Sequence, residues 1–419
     1  MPERVKVLIV GQTPPPYHGQ AIMIERLLRG KFARVELFHV RMAFSDSIAE
    51  VGRFRIGKLI HLMAVVARIV YCRYVHRPTV LCYPPAGPNP VPVYRDLTIL
   101  LCTRWMFRRT ILYFHAGGIS QLYPQFSPLV QWLFRRALFG AHAAIRISYG
   151  SPNDAQVLQA RRAYVLPYGI EDEFERFPVQ RAFRHGQQRN VVRVIETLSG
   201  SEFHSLGSAG DGINSLAATV LDENDSTQAP PLKILFVGIL SESKGLLVLI
   251  EACALLAERG VPFELNVAGQ FVSAEFEEGV RVRIGQLKLN SAIRFLGILT
   301  GDAKWKTFAG ADVLCLPTFY EAETFGLVLV EAMSFAVPVV ATRWRGIPEI
   351  VDDGVTGFLV NVQDAAAVAD RLEQLQAEAE LRNAMGDAGR EKFLREFTAN
   401  RYWERMEKIF VETAESSGH

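Results

Sequence analysis

The chain has 419 residues, a length typical of two or three domains. Hydrophobic residues make up 49% of it and charged residues 21%, which excludes a chain that is disordered throughout. The net charge of +2 hides an asymmetry, because residues 1–170 hold 22 Lys and Arg against 7 Asp and Glu, and the remainder holds 24 against 37. A basic half joined to an acidic half indicates that the two halves meet different partners.

Cysteine spacing and hydropathy exclude further classes. The 5 cysteines show no C-x-x-C spacing, which favours reduced thiols of a cytosolic protein over a zinc site or a disulfide framework. The apolar run 5–10 leads directly into Gly11, as expected for a buried first strand and not for a signal peptide. The most apolar stretch, 59–72, contains His61 and Arg68 and is too short to span a bilayer.

Short apolar runs alternate with longer amphipathic segments in the first half. The predicted strands are 5–10, 35–39, 79–83, 110–114, 142–147 and 163–166. The predicted helices between them are 21–32, 55–75, 94–107, 127–138 and 152–160. This alternation predicts an N-terminal α/β domain, residues 1–180, with a parallel sheet covered by helices on both faces.

The alternation stops between residues 181 and 231, where Gly, Ser, Asp and Asn are frequent. Despite a possible strand at 191–195, this segment is too long for an ordinary loop in a compact domain. We therefore expect a mobile interdomain linker or insertion at 181–231.

A second alternating series begins at Leu232 and predicts a C-terminal domain, 232–397. Its predicted strands are 233–238, 263–268, 293–296, 312–316 and 337–341. Its predicted helices are 244–259, 274–287, 302–309 and 325–335, and the glycines that follow indicate turns. The terminal segment 398–419 contains a predicted helix, 399–414, that can pack on either domain or cross back to the first. The fold class is therefore α/β, with two open parallel sheets and a cleft between them.

Ligands of such sheets bind at the loops that follow the strands. After the first strand, Gly19 lets backbone approach an anion at a helix N-terminus, although a rigid surface turn explains it equally well. His115 follows strand 110–114 beside two glycines and should lie at the same edge, with a purely structural histidine as the alternative. Among the other histidines only His18 has a comparable setting.

The loop after strand 233–238 runs from Gly238 to Lys244 and opens a helix. A lysine at a helix N-terminus opposes the helix dipole. Its position is explained if an anion binds between the ammonium group and the free backbone N–H groups. A solvated surface lysine is the alternative.

Two glutamates stand out near the helix predicted at 325–335. Glu331 is the only charge in that apolar run, and a buried carboxylate needs a partner. A vicinal diol such as a ribose satisfies it, and so does a salt bridge to an arginine. Glu323 lies just before the helix, close to the backbone N–H groups of Thr324, Phe325 and Gly326.

Several catalytic motifs are absent from the sequence. It contains no D-x-D metal clamp, no G-x-x-x-x-G-K-[ST] loop, no G-x-S-x-G elbow and no H-E-x-x-H pair. P-loop kinases, elbow-type serine hydrolases and zinc proteases are thereby excluded. The first loop also lacks G-x-G-x-x-G, which argues against a dinucleotide cofactor.

These loops together resemble the bacterial family-4 retaining glycosyltransferases, which have the GT-B fold of two facing Rossmann-like domains. The most specific part is the E-x7-E pair, Glu323 and Glu331, within P-[ST]-…-E-x-F-G-…-E-A-M. Supporting motifs are S-K-G at 243–245, G-I-P-E-I-V at 346–351, D-G-V-T-G-F-L-V at 353–360 and P-Y-G-I at 167–170. The last of these has Tyr168 where the family usually has Asn. The resemblance covers most of the chain apart from 181–231.

The resemblance implies a nucleotide diphosphate sugar as donor substrate, with no cofactor and no metal. Glu331 would hold the ribose hydroxyls, and Lys244 with the Gly238 turn would stabilise the diphosphate as charge develops on it. Glu323 and the backbone of residues 324–326 would hold the donor sugar. The family transfers the sugar with retention, generally through front-face attack. Fixed cations and dipoles then replace a divalent ion.

On the N-terminal side, the resemblance implies that Gly19 lets the first loop approach the donor phosphates and that His115 lies beside the sugar and the acceptor. Ile239 stands where many members have an Arg that binds the diphosphate. Its absence should weaken donor binding or stabilisation of the leaving group by about 1–3 kcal/mol, unless another arginine compensates. The usual Gly-Gly pairs are His18-Gly19 and Arg345-Gly346 here, so Arg345 is the predicted substitute cation.

The basic half carries aromatic residues among its charges, at 53–60, 104–109 and 132–136. Such segments favour an anionic membrane surface, with solvated faces of core helices as the alternative. Nucleic acid fits less well, because no recognition motif accompanies the charge. The resemblance agrees, since many bacterial members extend lipid-linked polysaccharide precursors on the N-terminal domain.

The prediction is a cytoplasmic, metal-independent retaining hexosyltransferase at the inner face of the cytoplasmic membrane. It would extend a lipid-linked glycan in lipopolysaccharide or exopolysaccharide biosynthesis. A catalytically silent partner subunit, suggested by Ile239, and a sugar-nucleotide epimerase are the alternatives. The pattern does not distinguish a UDP from a GDP donor.

Overall fold

The computed structural model describes residues 4–15, 19–42, 56–178 and 230–416. Within them the chain forms two α/β domains, each built on a six-stranded sheet whose paired strands are all parallel. The predicted pair of parallel α/β sheets is confirmed. The expectation of a mobile linker at 181–231 falls almost wholly on residues outside the described ranges, as do His18 and residues 53–55.

The N-terminal sheet has the strand order β2-β1-β3-β4-β5-β6. Its strands are β1 (Val5–Gly11), β2 (Val35–Arg41), β3 (Val80–Tyr83), β4 (Arg109–Phe114), β5 (Ala143–Arg146) and β6 (Ala163–Val165). The helices between them are α1 (Gly19–Arg29), α2 (Ile56–Val75), α3 (Pro90–Thr103), α4 (Pro128–Leu138) and α5 (Asp154–Val157).

Side chains that alternate along β1 enter two different cores, because neighbouring residues of a strand point to opposite faces. Leu8 and Val10 belong to the core that is shared with α2, α3 and α4. Val7 and Ile9 belong to the core on the other face, together with α1 and the last helix of the chain. The sheet is therefore covered on both faces, as parallel sheets are.

The C-terminal sheet has the strand order β12-β11-β10-β7-β8-β9. Its strands are β7 (Leu232–Val237), β8 (Phe263–Ala268), β9 (Ile293–Gly297), β10 (Val313–Leu316), β11 (Val339–Thr342) and β12 (Gly357–Val360). Its helices are α6 (Leu246–Glu258), α7 (Ala274–Gln286), α8 (Gly301–Ala309), α9 (Leu327–Ser334), α10 (Ile347–Ile350), α11 (Ala365–Ala377) and α12 (Ala379–Glu396).

Strands β7 and β10 are neighbours in this sheet although two strands separate them in sequence. The chain winds outward from β7 in one direction and from β10 in the other. The point where the direction reverses is the place where open α/β sheets bind ligands, beyond the carboxyl ends of the strands. The loops after β7 and β10 therefore flank the expected crevice.

Four elements of this domain were not predicted: β12, α10, α11 and α12. Strand β12 has only four residues, and its pairing of Gly357 with Val339 is a contact that local sequence does not encode. The buried face of α12 includes Gly386, Gly389 and Lys392, so the apolar repeat that reveals a helix is weak there.

The last helix, α13 (Ala399–Glu415), returns to the N-terminal domain and lies against strands β1 to β4. The crossing is held by backbone, since Ile170 N–H donates to Phe397 O (2.8 Å) and Ala399 N–H donates to Ile170 O (2.8 Å). Trp403 Nε1 also donates to Arg26 O at 3.0 Å. Helix α13, which follows the C-terminal domain in sequence, thus packs on the N-terminal domain.

No helix in the described part of the chain is long and apolar enough to cross a membrane. All five cysteines are free thiols; Cys102 is exposed and the others are buried. The His142 imidazole lies near the start of β5, where its Nδ1 accepts from Thr110 N–H at 3.2 Å. Burial, and then the charges of nearby arginines, lower the pKa of His142 to about 4.

Candidate active site

An ion pair between Lys244 and Glu323 spans the crevice at the reversal of strand order. Lys244 ends a short 3₁₀ turn after β7, and Glu323 lies in the loop after β10. Nζ lies 2.6 Å from Oε2, and the two side chains are only 17% and 11% exposed. Nζ also lies 4.7 Å from the centre of the Tyr320 ring. The structure thus joins two residues that the sequence placed separately at this edge.

The two loops that carry this pair are in direct backbone contact. Phe319 N–H donates to Ser243 O at 2.8 Å. Gly245 has a φ of +81°, and a Cβ added there would overlap the carbonyl oxygen of Pro317. Only glycine fits both the left-handed backbone and the close approach, so the S-K-G motif holds Lys244 against the loop of Glu323.

Glu331 lies on α9 and forms a second, more deeply buried ion pair. Its side chain is 5% exposed, and Oε1 accepts from Lys304 Nζ at 2.6 Å. Lys304 lies on α8, is 20% exposed, and has its Nζ 4.9 Å from the centre of the Trp305 ring. One alternative from the sequence was a salt bridge from Glu331 to an arginine. The structure shows a salt bridge, but its cation is a lysine and not an arginine. In the described part of the chain Oε2 of Glu331 makes no hydrogen bond, so a hydroxyl can donate there without breaking the pair.

Lys304 was not among the residues singled out from the sequence. No local pattern connects it to Glu331, because the two are 27 residues apart and lie on different helices. The available signal was indirect: a buried carboxylate requires a cation or donor from somewhere in the fold.

Thr324 joins the loop of Glu323 to the N-terminal domain. Its Oγ1 donates to the carbonyl oxygen of His115 at 2.9 Å. Its own carbonyl oxygen accepts from Ser148 Oγ at 2.7 Å. The contact brings His115 and residues 324–326 together at the seam between the domains.

Phe325 and Gly326 complete the loop. Phe325 is buried and packs edge-on against the ring of Tyr168, with 5.2 Å between ring centres. Gly326 has a φ of +78° and precedes α9. The first backbone N–H groups of a helix have no acceptor within it, so the start of α9 offers donors and a positive dipole end beside Glu323.

His115 is buried at the end of β4 and is held between aromatic rings. Its Nδ1 lies 2.7 Å from the hydroxyl of Tyr168. The ring centre of Tyr113 lies 4.1 Å from that of His115. Burial, and then the neighbouring groups Tyr402 and Glu323, raise the pKa of Tyr168 well above its usual value, so its hydroxyl stays protonated.

The loop that follows His115 is fixed by Asp154. This buried carboxylate accepts from the backbone N–H groups of Gly118 (2.7 Å) and Ser120 (2.9 Å). Burial raises the pKa of Asp154, whereas these hydrogen bonds act in the opposite direction. The loop beside His115 is therefore ordered by a side chain that the sequence did not reveal.

A further contact between the domains involves the G-I-P-E-I-V motif. The carboxylate of Glu349 accepts from the backbone N–H groups of Tyr149 (2.8 Å) and Gly150 (2.5 Å). A Cβ on Gly150 would overlap the carbonyl oxygen of Arg345. The loop after β5 thus packs directly against the loop after β11.

Arg345 is the cation predicted to replace the missing arginine at position 239. Its guanidinium carbon lies 5.3 Å from the centre of the Trp344 ring, and Trp344 Nε1 donates to Tyr320 O at 2.9 Å. Its Nε is buried and has no hydrogen-bond acceptor in the described part of the chain. Ile239 itself is 42% exposed. Arg345 is thereby linked, through Trp344, to Tyr320 in the loop after β10, whose ring lies near Lys244 Nζ.

The other two predicted site glycines, besides Gly326, occupy strand and helix ends. Gly19 is the first residue of α1, and a Cβ there would meet no atom of the described residues within 4 Å. Gly238 follows β7 and donates its N–H to Ala268 O at 3.0 Å. Both lie where backbone can face a ligand.

Part of the chain is similar in sequence to known proteins. The sequence model of the family "Glycosyl transferases group 1" matches residues 222–392. The amylovoran biosynthesis glycosyltransferase AmsK of Erwinia amylovora is 34% identical over 156 residues, which are 36% of this chain and 38% of AmsK. The N-acetyl-alpha-D-glucosaminyl L-malate synthase of Bacillus anthracis is 36% identical over 129 residues, 31% of this chain and 33% of that enzyme. The chain thus spans about a third of the length of these curated relatives.

The solved structures extend the likeness to both domains. The crystal structure of HepE of Anabaena in complex with UDP has a TM-score of 0.67 and 15% identity, covering 97% of this chain and 100% of that chain. At this identity the likeness shows the fold, and the predicted GT-B architecture is confirmed. In sequence, the chain is therefore similar to the glycosyl transferases group 1 over residues 222–392.

Proposed function

We propose that the protein is a retaining glycosyltransferase that moves a hexose-type sugar from a nucleotide diphosphate sugar to a lipid-linked glycan. The observation that carries the proposal is the Lys244–Glu323 pair at the reversal of strand order, next to the buried Glu331. AmsK, by its name, acts in amylovoran biosynthesis, and HepE was crystallised with UDP, which supports a nucleotide-sugar donor and a polysaccharide product.

In this proposal the diphosphate binds between Lys244 and the start of α9. Its oxygens replace the Glu323 carboxylate as the partner of Lys244 Nζ. The Glu323 carboxylate then rotates and accepts a hydrogen bond from a hydroxyl of the donor sugar. Negative charge grows on the diphosphate as its bond to the anomeric carbon breaks. A fixed ammonium group and a helix N-terminus stabilise that charge without rearranging, which lowers the barrier.

Glu331 and Lys304 would receive the ribose. One hydroxyl donates to the open oxygen of Glu331, while Lys304 holds the carboxylate in its orientation. A buried carboxylate that is already paired needs little further reorganisation to bind a diol.

His115 and Gly19 would face the donor from the N-terminal domain. The contact of Thr324 with His115 supports this proposal, because it joins the loop of residues 324–326 to the N-terminal domain. The acceptor hydroxyl attacks the anomeric carbon from the face that the diphosphate leaves, and its proton passes to a departing phosphate oxygen. The configuration at that carbon is thereby retained.

Arg345 would supply the second cation for the diphosphate. We expect Arg345→Ala to weaken donor binding by about 1–3 kcal/mol, the value of a charge-assisted hydrogen bond. Arg343→Ala is the matched control, because Arg343 lies in the same loop and pairs with Asp353 at the surface. Equal donor affinity of wild type and Arg345→Ala would remove Arg345 from the site.

Transfer is proposed to need no divalent ion. The sequence has no D-x-D pair, and the described residues contain no group of three or more His, Cys, Asp or Glu that could hold a metal. We expect full activity in the presence of EDTA; a loss that Mg²⁺ or Mn²⁺ restores would contradict this part of the proposal.

The donor site is tested by thermal unfolding with UDP, GDP, ADP and their sugar conjugates. A ligand at about 100 times its Kd adds about 2.7 kcal/mol, which raises the midpoint by a few degrees. We expect a shift with one nucleotide family that is lost in Glu331→Ala and retained in Glu321→Ala, whose side chain is an exposed neighbour of Glu323 in the same loop. No shift with any nucleotide would favour the silent partner subunit.

Transfer itself is tested with the donor that binds and a membrane extract containing lipid-linked glycans. The anomeric proton coupling of the product reports retention or inversion. Conversion of the sugar nucleotide without acceptor would favour an epimerase instead.

We propose an anionic membrane as the surface on which transfer occurs. Helices α2, α3 and α4 lie side by side on one face of the N-terminal sheet. Their outer side exposes large apolar residues, namely Ile60, Met63, Tyr71, Tyr74, Tyr94, Leu129 and Trp132, with Trp105 directly after α3. Helix α2 is therefore apolar on both its buried and its outer side, which a purely solvated helix does not need.

The charge around this face supports the same partner. Residues 51–153 contain 13 Lys and Arg and a single acidic residue, Asp96. Asp96 is fully buried and accepts from Tyr83 and Arg95. No other carboxylate of that segment opposes its positive charge, which favours anionic lipid.

Sedimentation with phosphatidylglycerol vesicles tests the membrane surface. We expect binding at low salt that high salt reverses, and weaker binding of Trp105→Ala and Trp132→Ala. Leu394→Ala is the control, an exposed apolar side chain on the other domain. Failure to bind at low salt would leave the faces as solvated surfaces of core helices.

A further inference from the structure

Tyr168 occupies the position at which the P-Y-G-I segment departs from the family pattern. The segment is fixed by the crossing of the chain end, since Ile170 exchanges backbone hydrogen bonds with Phe397 and Ala399. Gly169 packs so closely on Thr398 that a Cβ there would overlap its carbonyl oxygen. The backbone that carries Tyr168 is therefore held from both sides.

The side chain of Tyr168 connects the two halves of the candidate site. Its hydroxyl lies 2.7 Å from His115 Nδ1 in the N-terminal domain. Its ring packs against Phe325 of the sugar-binding loop in the C-terminal domain. Tyr168 thus contacts both the proposed catalytic histidine and the proposed donor loop.

The direction of the hydrogen bond follows from the surroundings of the hydroxyl. In the described part of the chain, His115 Nδ1 is the one hydrogen-bonding partner of the Tyr168 hydroxyl, and Tyr168 is buried. If Nδ1 carried a proton and donated it, the phenolic O–H would be left without an acceptor. The opposite arrangement leaves one buried donor, Nε2–H, outside this hydrogen bond. The Nδ1–H tautomer leaves two buried groups outside it, the phenolic O–H and the Nε2 lone pair, and each such group costs about 1–3 kcal/mol, whereas an unused second lone pair on oxygen costs less. The O–H therefore donates to Nδ1.

We propose that Tyr168 is a positioning residue that holds neutral His115 in the tautomer with its proton on Nε2. In this tautomer Nε2 is a donor, the role that a sugar hydroxyl or a phosphate oxygen at the cleft requires. The partner of one ring nitrogen decides the protonation of the other. The assignment of a role in transfer rests on the proposed function; the tautomer itself does not.

The tautomer is measured by ¹⁵N NMR of the histidine rings of the full chain, at a pH where His115 is neutral. One-bond N–H coupling identifies the protonated nitrogen, and His115→Gln assigns the signal. We expect a single Nε2–H tautomer in wild type and a mixture of both in Tyr168→Phe.

Tyr402→Phe is the matched control. It removes another buried hydroxyl of the same cluster, one that contacts Tyr113 at 3.2 Å and not His115. An Nδ1–H tautomer in wild type overturns the proposal. So does a Tyr168→Phe protein whose tautomer matches wild type. If Tyr168→Phe does not fold, the wild-type tautomer still decides.

Kinetics separate this inference from the proposed function. Once a donor is known, we expect Tyr168→Phe to lower kcat about tenfold with little change in the KM for donor, and Tyr402→Phe to leave kcat near wild type. The Nε2–H tautomer in a protein without transferase activity would support the role of Tyr168 and reject the proposed function. Unchanged kcat in Tyr168→Phe, with the tautomer lost, would exclude a role of that tautomer in transfer.

Discussion

The Lys304–Glu331 pair allows a sharp test of the site, because the two partners differ in burial. Glu331 is 5% exposed and cannot reach water, whereas Lys304 is 20% exposed on a long flexible side chain. Removing one partner of a buried pair costs about 3–5 kcal/mol when the remaining charge is left uncompensated. We therefore expect Lys304→Met to cost about 3 kcal/mol of the free energy of unfolding, and Glu331→Leu about 1 kcal/mol.

The double variant is expected to lose less free energy of unfolding than the two single variants lose together. Two apolar side chains of similar size replace a buried ion pair at little cost, so Lys304→Met with Glu331→Leu should unfold within about 1 kcal/mol of wild type. The resulting coupling energy is about 3–4 kcal/mol, at or just above the upper end of values for residues in contact. The double variant should nonetheless lose nucleotide binding, which separates stability from function.

Urea unfolding of the four proteins measures the cycle, and thermal shift with nucleotide measures binding. Lys306→Met is the control, because Lys306 is exposed on the same helix, two residues from Lys304. We expect it to stay within about 0.5 kcal/mol of wild type. Additive single losses, or a Lys304→Met protein as stable as Lys306→Met, would refute the reasoning.

Three further predictions concern the elements that support the site. Gly245→Ala should lower the free energy of unfolding in urea by at least about 2 kcal/mol, because the added Cβ overlaps Pro317 and alanine is strained at a positive φ. Gly260→Ala is the control: its φ is +73° but its Cβ would meet no described atom within 4 Å, so it should lose only about 1–2 kcal/mol. Because the folded pKa of His142, about 4, lies below the usual 6.5, its contribution to stability is present above pH 6.5 and is lost as the pH falls towards 4. A urea series over pH should therefore be flatter for His142→Gln, and identical slopes would contradict that assignment. Glu349→Gln leaves one acceptor oxygen for two backbone N–H groups, so one hydrogen bond between the domains is lost and the other is weakened, at a cost of about 1–2 kcal/mol. The variant should have a larger radius of gyration in X-ray scattering, and an unchanged radius would show that the seam does not depend on this carboxylate.

Local sequence patterns were sufficient for most elements of the fold. Strand β8 was predicted at its observed bounds, and β1 was predicted to within one residue, because alternating and apolar runs are properties of neighbouring residues. The pattern failed at β12, a four-residue strand, and at α12, whose buried face carries glycines and a lysine. Both are stabilised by contacts with distant parts of the chain.

The candidate site divides in the same way. Sequence reasoning selected Glu323, Glu331, Lys244 and His115 because each follows a strand or interrupts an apolar helix. It did not reveal Lys304, because nothing near that residue in sequence indicates a carboxylate partner on another helix.

The sequence by itself determined that strands alternate with helices and which charged residues lie in the loops beyond the strands. Only the tertiary structure decided that Lys244 pairs with Glu323, that Lys304 pairs with Glu331, and that Tyr168 holds His115. The reason is physical: periodicity reports how each segment meets a surface, whereas partners are chosen by strand order and by the crossing of α13. Those depend on the packing of segments far apart in the chain.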